Sequence, residues 1–287
     1  MKRAQMMLVT SMVIFGTIGL FKKAIPVTSG ELALYRAILA AVMLGGVLLV
    51  TKQRIPFRSI GKQLPLLLLS GAAMGVNWIL LFESFNHSVA LGTLSYYFAP
   101  VIVTAVCPLL FKEKLTVWQI VCFIVSTAGL AMITCASGLG EGTSYLMAVL
   151  FGLGAAVFYA SVILLNKFIT GVEGLHRTLL QFLAAIVTLV PYVALTTGVT
   201  LGGMDAIGWV CLLIVGIVHT GLAYVLYFPS LKELPGQKAA ILSYIDPLVA
   251  VIIAVLILQE PMNIWQWIGG AMILGATLLN ELAPQKA

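Results

Sequence analysis

The sequence predicts an all-α membrane protein: ten transmembrane helices in two inverted five-helix repeats, residues 1–140 and 141–287. Three observations lead there. Of 287 residues, 61% are hydrophobic and only 9% charged, whereas soluble domains hold roughly 25% charged and 45–50% apolar residues. The apolar residues fall into ten runs joined by short loops that carry most of the basic side chains. One stretch of the chain recurs at a constant offset of 147 residues.

Composition sets the class. A soluble core of this size could not hide so much apolar surface, so the bilayer is the solvent for most of the chain. The net charge of +6 does not point to nucleic acid, because the basic residues are scattered in loops and form no single basic stretch; they read as topology signals. The four cysteines, Cys107, Cys122, Cys135 and Cys211, lie in apolar runs without CxxC spacing and behave as small hydrophobes. No His, Cys or carboxylate cluster has metal-ligand spacing, so no metal and no cofactor is expected. Met1-Lys2-Arg3 and the following apolar run imitate a signal peptide, but no small-x-small cleavage site follows the run, which ends at Phe21-Lys22-Lys23, and the run is read as the first span.

A spanning helix needs roughly 20 mostly apolar residues. The runs place spans at about 5–21, 31–50, 64–83, 88–111, 115–136, 145–167, 177–196, 207–228, 238–258 and 264–282. Short loops make consecutive helices antiparallel and, for the most part, neighbours. With the N-terminus in the cytoplasm, one side holds Lys2, Arg3, Lys52, Arg54, Arg58, Lys62, Lys112, Lys114, Lys167, Arg177, Lys232, Lys238 and Lys286, and the other only Lys22 and Lys23. This asymmetry of 13 to 2 places both termini in the cytoplasm and the chain in the plasma (cytoplasmic) membrane.

The repeat aligns Tyr97 with Tyr244, Pro100 with Pro247, Glu113 with Glu260, Trp118 with Trp265 and Gln119 with Gln266. A unit of five spans is odd in number, so the second copy enters the membrane inverted, and Glu113 and Glu260 fall on opposite sides. A weaker match sets Arg36 over Arg177. Two such bundles can rock about a central site, the usual build of alternating access; static reuse of one structural unit is the alternative.

An apolar helix with a central Pro, then Glu, then Thr or Asn, then Trp-Gln, together with the arginine of Leu34-Tyr35-Arg36-Ala37-Ile38, resembles the EamA family of the drug/metabolite transporter superfamily. The resemblance covers nearly the whole chain. It implies ten helices in two inverted repeats, export of amino acids and related metabolites, and no nucleotide site. The chain departs from the pattern at Lys112 and Gln259, where the family usually has Gly, and at Asp246, where the pattern requires no acid.

Polar groups inside a bilayer are costly and each needs a reason. Asp246 lies about nine residues into span 9, roughly 13 Å at 1.5 Å per residue, close to the midplane. It is the candidate coupling group, exchanging a proton during transport; the alternative is a hydrogen-bonded Asp that ties helices together. Pro247 follows it and Pro100 holds the equivalent place in span 4, so both helices are weakened at one level. Tyr96, Tyr97 and Tyr244, with Asn77, Trp78, Tyr159, Ser161, His219 and Tyr224, would furnish an aromatic-walled cavity with a few directional polar groups. His219 is either a proton relay or a satisfied interhelical hydrogen-bonding group. Arg36 is expected to pair with Glu83 or Glu31, or to act as a gate or carboxylate anchor. Thr116 and Asn263 are expected helix caps beside Glu113 and Glu260. Trp118, Trp265 and Trp267 fit an interfacial belt. Gly71-xxx-Gly75 and Ala271-xxx-Gly275 allow close helix approach, either as internal seams or as the face of a homodimer.

The leading functional reading is a secondary exporter of amino acids or related small metabolites, driven by a proton gradient or by exchange; no GxxxxGK[ST] supports ATP drive. A passive facilitator of small metabolites is the second reading. An integral-membrane enzyme or lipid-handling protein is the third. An enzyme would need converging acids, bases or a metal, and the chain offers one intramembrane Asp and one His.

Overall fold

The computed structural model describes residues 2–52, 57–111, 115–138, 143–172, 174–198, 200–234 and 236–282. Regular structure in these residues is helical: α1 (Lys2–Gly16), α2 (Ile18–Lys23), α3 (Ser29–Val50), α4 (Phe57–His87), α5 (Val89–Tyr96), α6 (Ala99–Phe111), α7 (Val117–Gly138), α8 (Thr143–Phe168), α9 (Gly174–Thr196), α10 (Ala206–Leu213), a π-helical stretch (Ile214–Leu222), α11 (Ala223–Glu233), α12 (Gly236–Ser243), α13 (Ile245–Leu256) and α14 (Ile264–Leu282), with one 3-10 turn at Leu201–Gly203. Eight segments are long and apolar enough to cross a membrane, and Ile241–Leu256 is a shorter apolar helix. Most boundaries fall within a few residues of the expected spans; α4 is longer, running from Phe57 to His87.

Helix starts follow from local chemistry. The first free N–H groups of a helix need acceptors, and three starts use a reciprocal capping box. Thr28 and Glu31 form it at α3. At α7, Gln119 N–H donates to Thr116 Oγ1 at 3.2 Å while Thr116 N–H donates to Gln119 Oε1 at 2.8 Å. At α14, Asn263 and Gln266 do the same, both at 2.9 Å. The repeated Gln of Trp-Gln is therefore the second half of a cap, which explains why it recurs beside Thr116 and Asn263. Glu113 and Lys112 lie outside the described residues.

Two segments are broken at matching places. The helix ends at Tyr96 and resumes at Ala99; in the other half it ends at Ser243 and resumes at Ile245. Pro100 and Pro247 sit in the first turn of α6 and α13, where the missing N–H has no helical partner to lose.

Packing corrects one expectation. Consecutive helices are not the main neighbours: the most extensive contacts join α4 to α8 and α9, α7 to α14, α3 to α9, α5 to α8 and α1 to α11. The two halves interleave around an apolar centre that includes Leu32, Leu44, Phe82, Phe182 and Leu189. Small residues make the closest crossings, as expected where lipid offers no hydrophobic drive for helix association. Gly71 lies against the Gln181 carbonyl and Ala184 of α9, and Gly75 against Leu189, so this stripe is an internal seam. Gly275 faces open space; the tight α7–α14 crossing is at Gly129 and Gly269, each of which sits against the other's carbonyl.

Candidate functional site

The breaks at Tyr97 and Tyr244 open onto one cavity of about 420 Å³ lined by α1–α6, α8 and α11–α14. That volume is within the roughly 300–1,000 Å³ of small-molecule pockets. Its walls are aromatic. Tyr96 lies 5.2 Å from Tyr159 and 6.0 Å from Tyr97, centroid to centroid, and Tyr97 lies 6.3 Å from Tyr244. On the facing side Phe15 packs edge-on against Tyr224 at 5.3 Å, and Trp78 against Phe182 at 5.2 Å.

Among the described residues, three charged groups reach the cavity. Asp246, in the first turn of α13, accepts a hydrogen bond from the Tyr97 hydroxyl at 2.7 Å. The backbone break after Tyr96 delivers that hydroxyl, and the repeat partner Tyr244 supplies the neighbouring ring. Arg36, only 5% exposed on α3, donates from Nε to Thr220 Oγ1 at 2.7 Å. Its guanidinium carbon sits 4.4 Å from the Trp78 ring centroid and 5.4 Å from that of Phe82, so the cation rests against aromatic faces. Thr220 belongs to the π-helical stretch and donates back to the Val215 carbonyl at 2.9 Å. The third group, Glu281, enters from the last turn of α14.

Neither Arg36 nor Asp246 has an ion-pair partner among the described residues. The expected pairing of Arg36 with Glu83 or Glu31 is not what forms. Glu83 accepts from Ser29 Oγ at 2.6 Å and Asn86 Nδ2 at 3.0 Å. Glu31 accepts from the Thr200 amide at 2.6 Å and its hydroxyl at 2.7 Å. The reason is position: both acids stand near the helix ends at the α2–α3 turn, where free N–H and O–H groups are closer than the guanidinium.

Of the expected site residues, Asn77, Trp78, Tyr97, Tyr159, Tyr244, Asp246, Arg36 and Pro100 line this cavity, as do Tyr96 and Tyr224. Asn77 donates to the Ala155 carbonyl of α8 at 2.7 Å, which fixes its amide on the wall. His219, Glu83, Pro247 and Ser161 do not line it. His219 is 2% exposed; Nε2 faces Thr17 Oγ1 at 2.8 Å and Nδ1 the Ile214 carbonyl at 3.3 Å. It ties the π-helical stretch to the break between α1 and α2. Tyr227 and Glu281 are lining residues the sequence reading did not name. Tyr227 follows Tyr224 by three residues and so shares its helix face; Glu281 is an acid at the end of an apolar span.

Helices of lipid length wrapped around a polar-aromatic cavity define a multi-pass membrane protein with a small-molecule site. The model of the EamA-like transporter family matches residues 2–135 and 146–281, and the chain belongs to that family. "Uncharacterized transporter YxxF" of Bacillus subtilis (strain 168) is 30% identical over 97% of this chain and 89% of its own length. "Uncharacterized transporter YojE" of the same organism is 27% identical over 69% of this chain and 63% of its own length. A crystal structure superposes with a TM-score of 0.67 over 97% of both chains at 14% identity, a likeness of fold alone. The protein is a membrane transporter of small molecules.

Proposed function

We propose that the protein is a secondary transporter that exports amino acids or related zwitterionic metabolites by alternating access, coupled to a proton gradient or to exchange. Ten spans in two inverted repeats, with both termini cytoplasmic, are the architecture this reading uses. One observation carries it. Arg36 and Asp246 stand on the wall of a single cavity, opposite in charge, and neither has an ion-pair partner among the described residues. A buried charge without a counter-ion is costly, and a ligand with a carboxylate and an ammonium supplies both. Tyrosine and tryptophan faces around the site add cation–π contact for the ammonium and apolar surface for the remainder. Asp246 can hold a proton or the substrate ammonium but not both, which is the exchange that proton coupling requires.

Thermal stabilisation of the purified protein against an amino-acid and metabolite panel tests this, since binding to the native state raises stability by linkage. The expected result is stabilisation by one or more amino acids, weaker at acidic pH, where protons compete at Asp246. Stabilisation by uncharged solutes alone would overturn the reading.

A further inference from the structure

The cavity is closed at one end by a polar network that the substrate reading does not use. At this end Lys22, 4% exposed, donates from Nζ to Asn86 Oδ1. Asn86 in turn donates from Nδ2 to Glu83 Oε2 at 3.0 Å, and Ser29 Oγ donates to the same oxygen at 2.6 Å. These bonds join α2, α3 and α4. Glu260, in the loop after α13, accepts from Ser88 Oγ at 2.8 Å and from the amides of Val89 and Ala90 at 2.9 and 3.0 Å. It thereby caps α5 from a point 170 residues away in the chain. Lys23 Nζ joins the two sets: it lies 3.8 Å from Glu260 Oε1 and donates to the Asn86 carbonyl at 3.4 Å.

Directly beneath, the cavity ends on Ile18, Gly19 and Phe85, all buried. Gly19 is packed so closely on Val89 that a Cβ there would collide with it. At its far end the same cavity runs past Leu231 to Glu281, an exposed residue. One end is shut and the other reaches the surface.

We infer that Lys22, Lys23, Glu83, Asn86 and Glu260 form a latch, and that the latch holds the protein in the conformation open at the Glu281 end. Opening the opposite end requires α2, together with the loop that carries Glu260, to part from α4 and α5. That movement breaks the bonds of Lys22 and Lys23 to Asn86 and strips Glu260 from the α5 terminus, so the two conformations differ by several charge-assisted bonds and not by one contact. Glu83, Glu260, Lys22 and Lys23 act here without touching the cavity, and the inference does not depend on what the substrate is.

The test needs no substrate. In a background with Cys107, Cys122, Cys135 and Cys211 replaced by Ala, Ile18→Cys and Leu231→Cys report the two ends through their rates of reaction with a 5-kDa polyethylene-glycol maleimide in detergent. A reagent of that size cannot pass through the cavity. Leu231→Cys is expected to react at least about tenfold faster than Ile18→Cys. Glu260→Gln or Glu83→Gln is then expected to shift the equilibrium about tenfold, the effect of losing one charge-assisted hydrogen bond; from a parent biased about tenfold or more this speeds Ile18→Cys by about five- to tenfold and slows Leu231→Cys by at most about twofold. Lys23→Ala, at a partly exposed side chain, should move both rates in the same directions by less. Equal rates at the two ends of the parent, or an unchanged Ile18→Cys rate in the latch variants, would overturn the inference. So would a rise at both ends together, which reports loosened packing.

Discussion

Replacing Asp246 with Asn separates charge from shape. The amide has nearly the volume of the carboxyl and keeps an oxygen to accept the Tyr97 hydroxyl bond of 2.7 Å. No ion pair holds the folded protein together through this group, so the fold should survive, with stability changed by no more than about 1 kcal/mol. What is lost is the anion that accepts the Tyr97 hydroxyl bond on the cavity wall. Removing one partner of a buried ion contact costs about 3–5 kcal/mol. Asp246 is half-buried in a cavity open at one end, which lowers the figure to about 2–3 kcal/mol, or roughly 30- to 150-fold in affinity at 1.4 kcal/mol per tenfold. Purified Asp246→Asn should bind a zwitterionic ligand that much more weakly by calorimetry, without the wild-type loss of affinity at acidic pH. In proteoliposomes its proton-coupled flux should vanish. Wild-type coupled flux in this variant would refute the role given to Asp246.

Three further predictions rest on separate parts of the structure. Arg36→Lys keeps the charge but not the flat fork held between Thr220 and the Trp78 face; affinity for carboxylate ligands should fall at least about tenfold while decarboxylated analogues bind as before. Gly129→Leu inserts a side chain where the Gly269 carbonyl lies against α7, and should destabilise by about 3 kcal/mol or more, read as loss of monodisperse protein on heating. Gln259→Gly relieves a backbone at φ 53°, a left-handed conformation costing a side chain roughly 1–2 kcal/mol; after the greater freedom of Gly in the unfolded chain, about 0.5–1 kcal/mol of stabilisation should remain, measured as a higher melting temperature.

The parts of this protein that were legible in its sequence are those set by local chemistry. Proline at 100 and 247 foretold breaks at one level, and the helices do stop at Tyr96 and Ser243. Thr116 and Asn263 announced caps. Asp246 and Arg36 stood out because charge in an apolar span is rare. Interleaving of the halves was hidden, because a lipid-length helix is apolar on all sides and carries little record of which face meets which neighbour. The partners of Arg36 and His219 were hidden for a different reason. Both depend on Ile214–Leu222 winding as a π-helix, whose extra residue per turn sets Thr220 against Arg36 and turns His219 toward Thr17; a 3.6-residue period cannot anticipate that. Glu260 stands three residues before the cap at Asn263, yet its carboxylate closes a helix start in the other half of the chain, a long-range contact that local sequence does not encode. Gln259 shows the reverse case: the family's usual glycine at this place was known from the resemblance, and the positive φ supplies its physical reason.

Counterflow in proteoliposomes tests transport of zwitterions through this cavity most directly. Vesicles loaded with the best-stabilising amino acid are diluted into a trace of the same labelled compound, and into traces of its decarboxylated amine and its deaminated acid. A site built on Arg36 and Asp246 predicts transient accumulation of the amino acid and at least about tenfold slower uptake of either singly charged analogue. Equal uptake of all three, or none above protein-free vesicles, would contradict it.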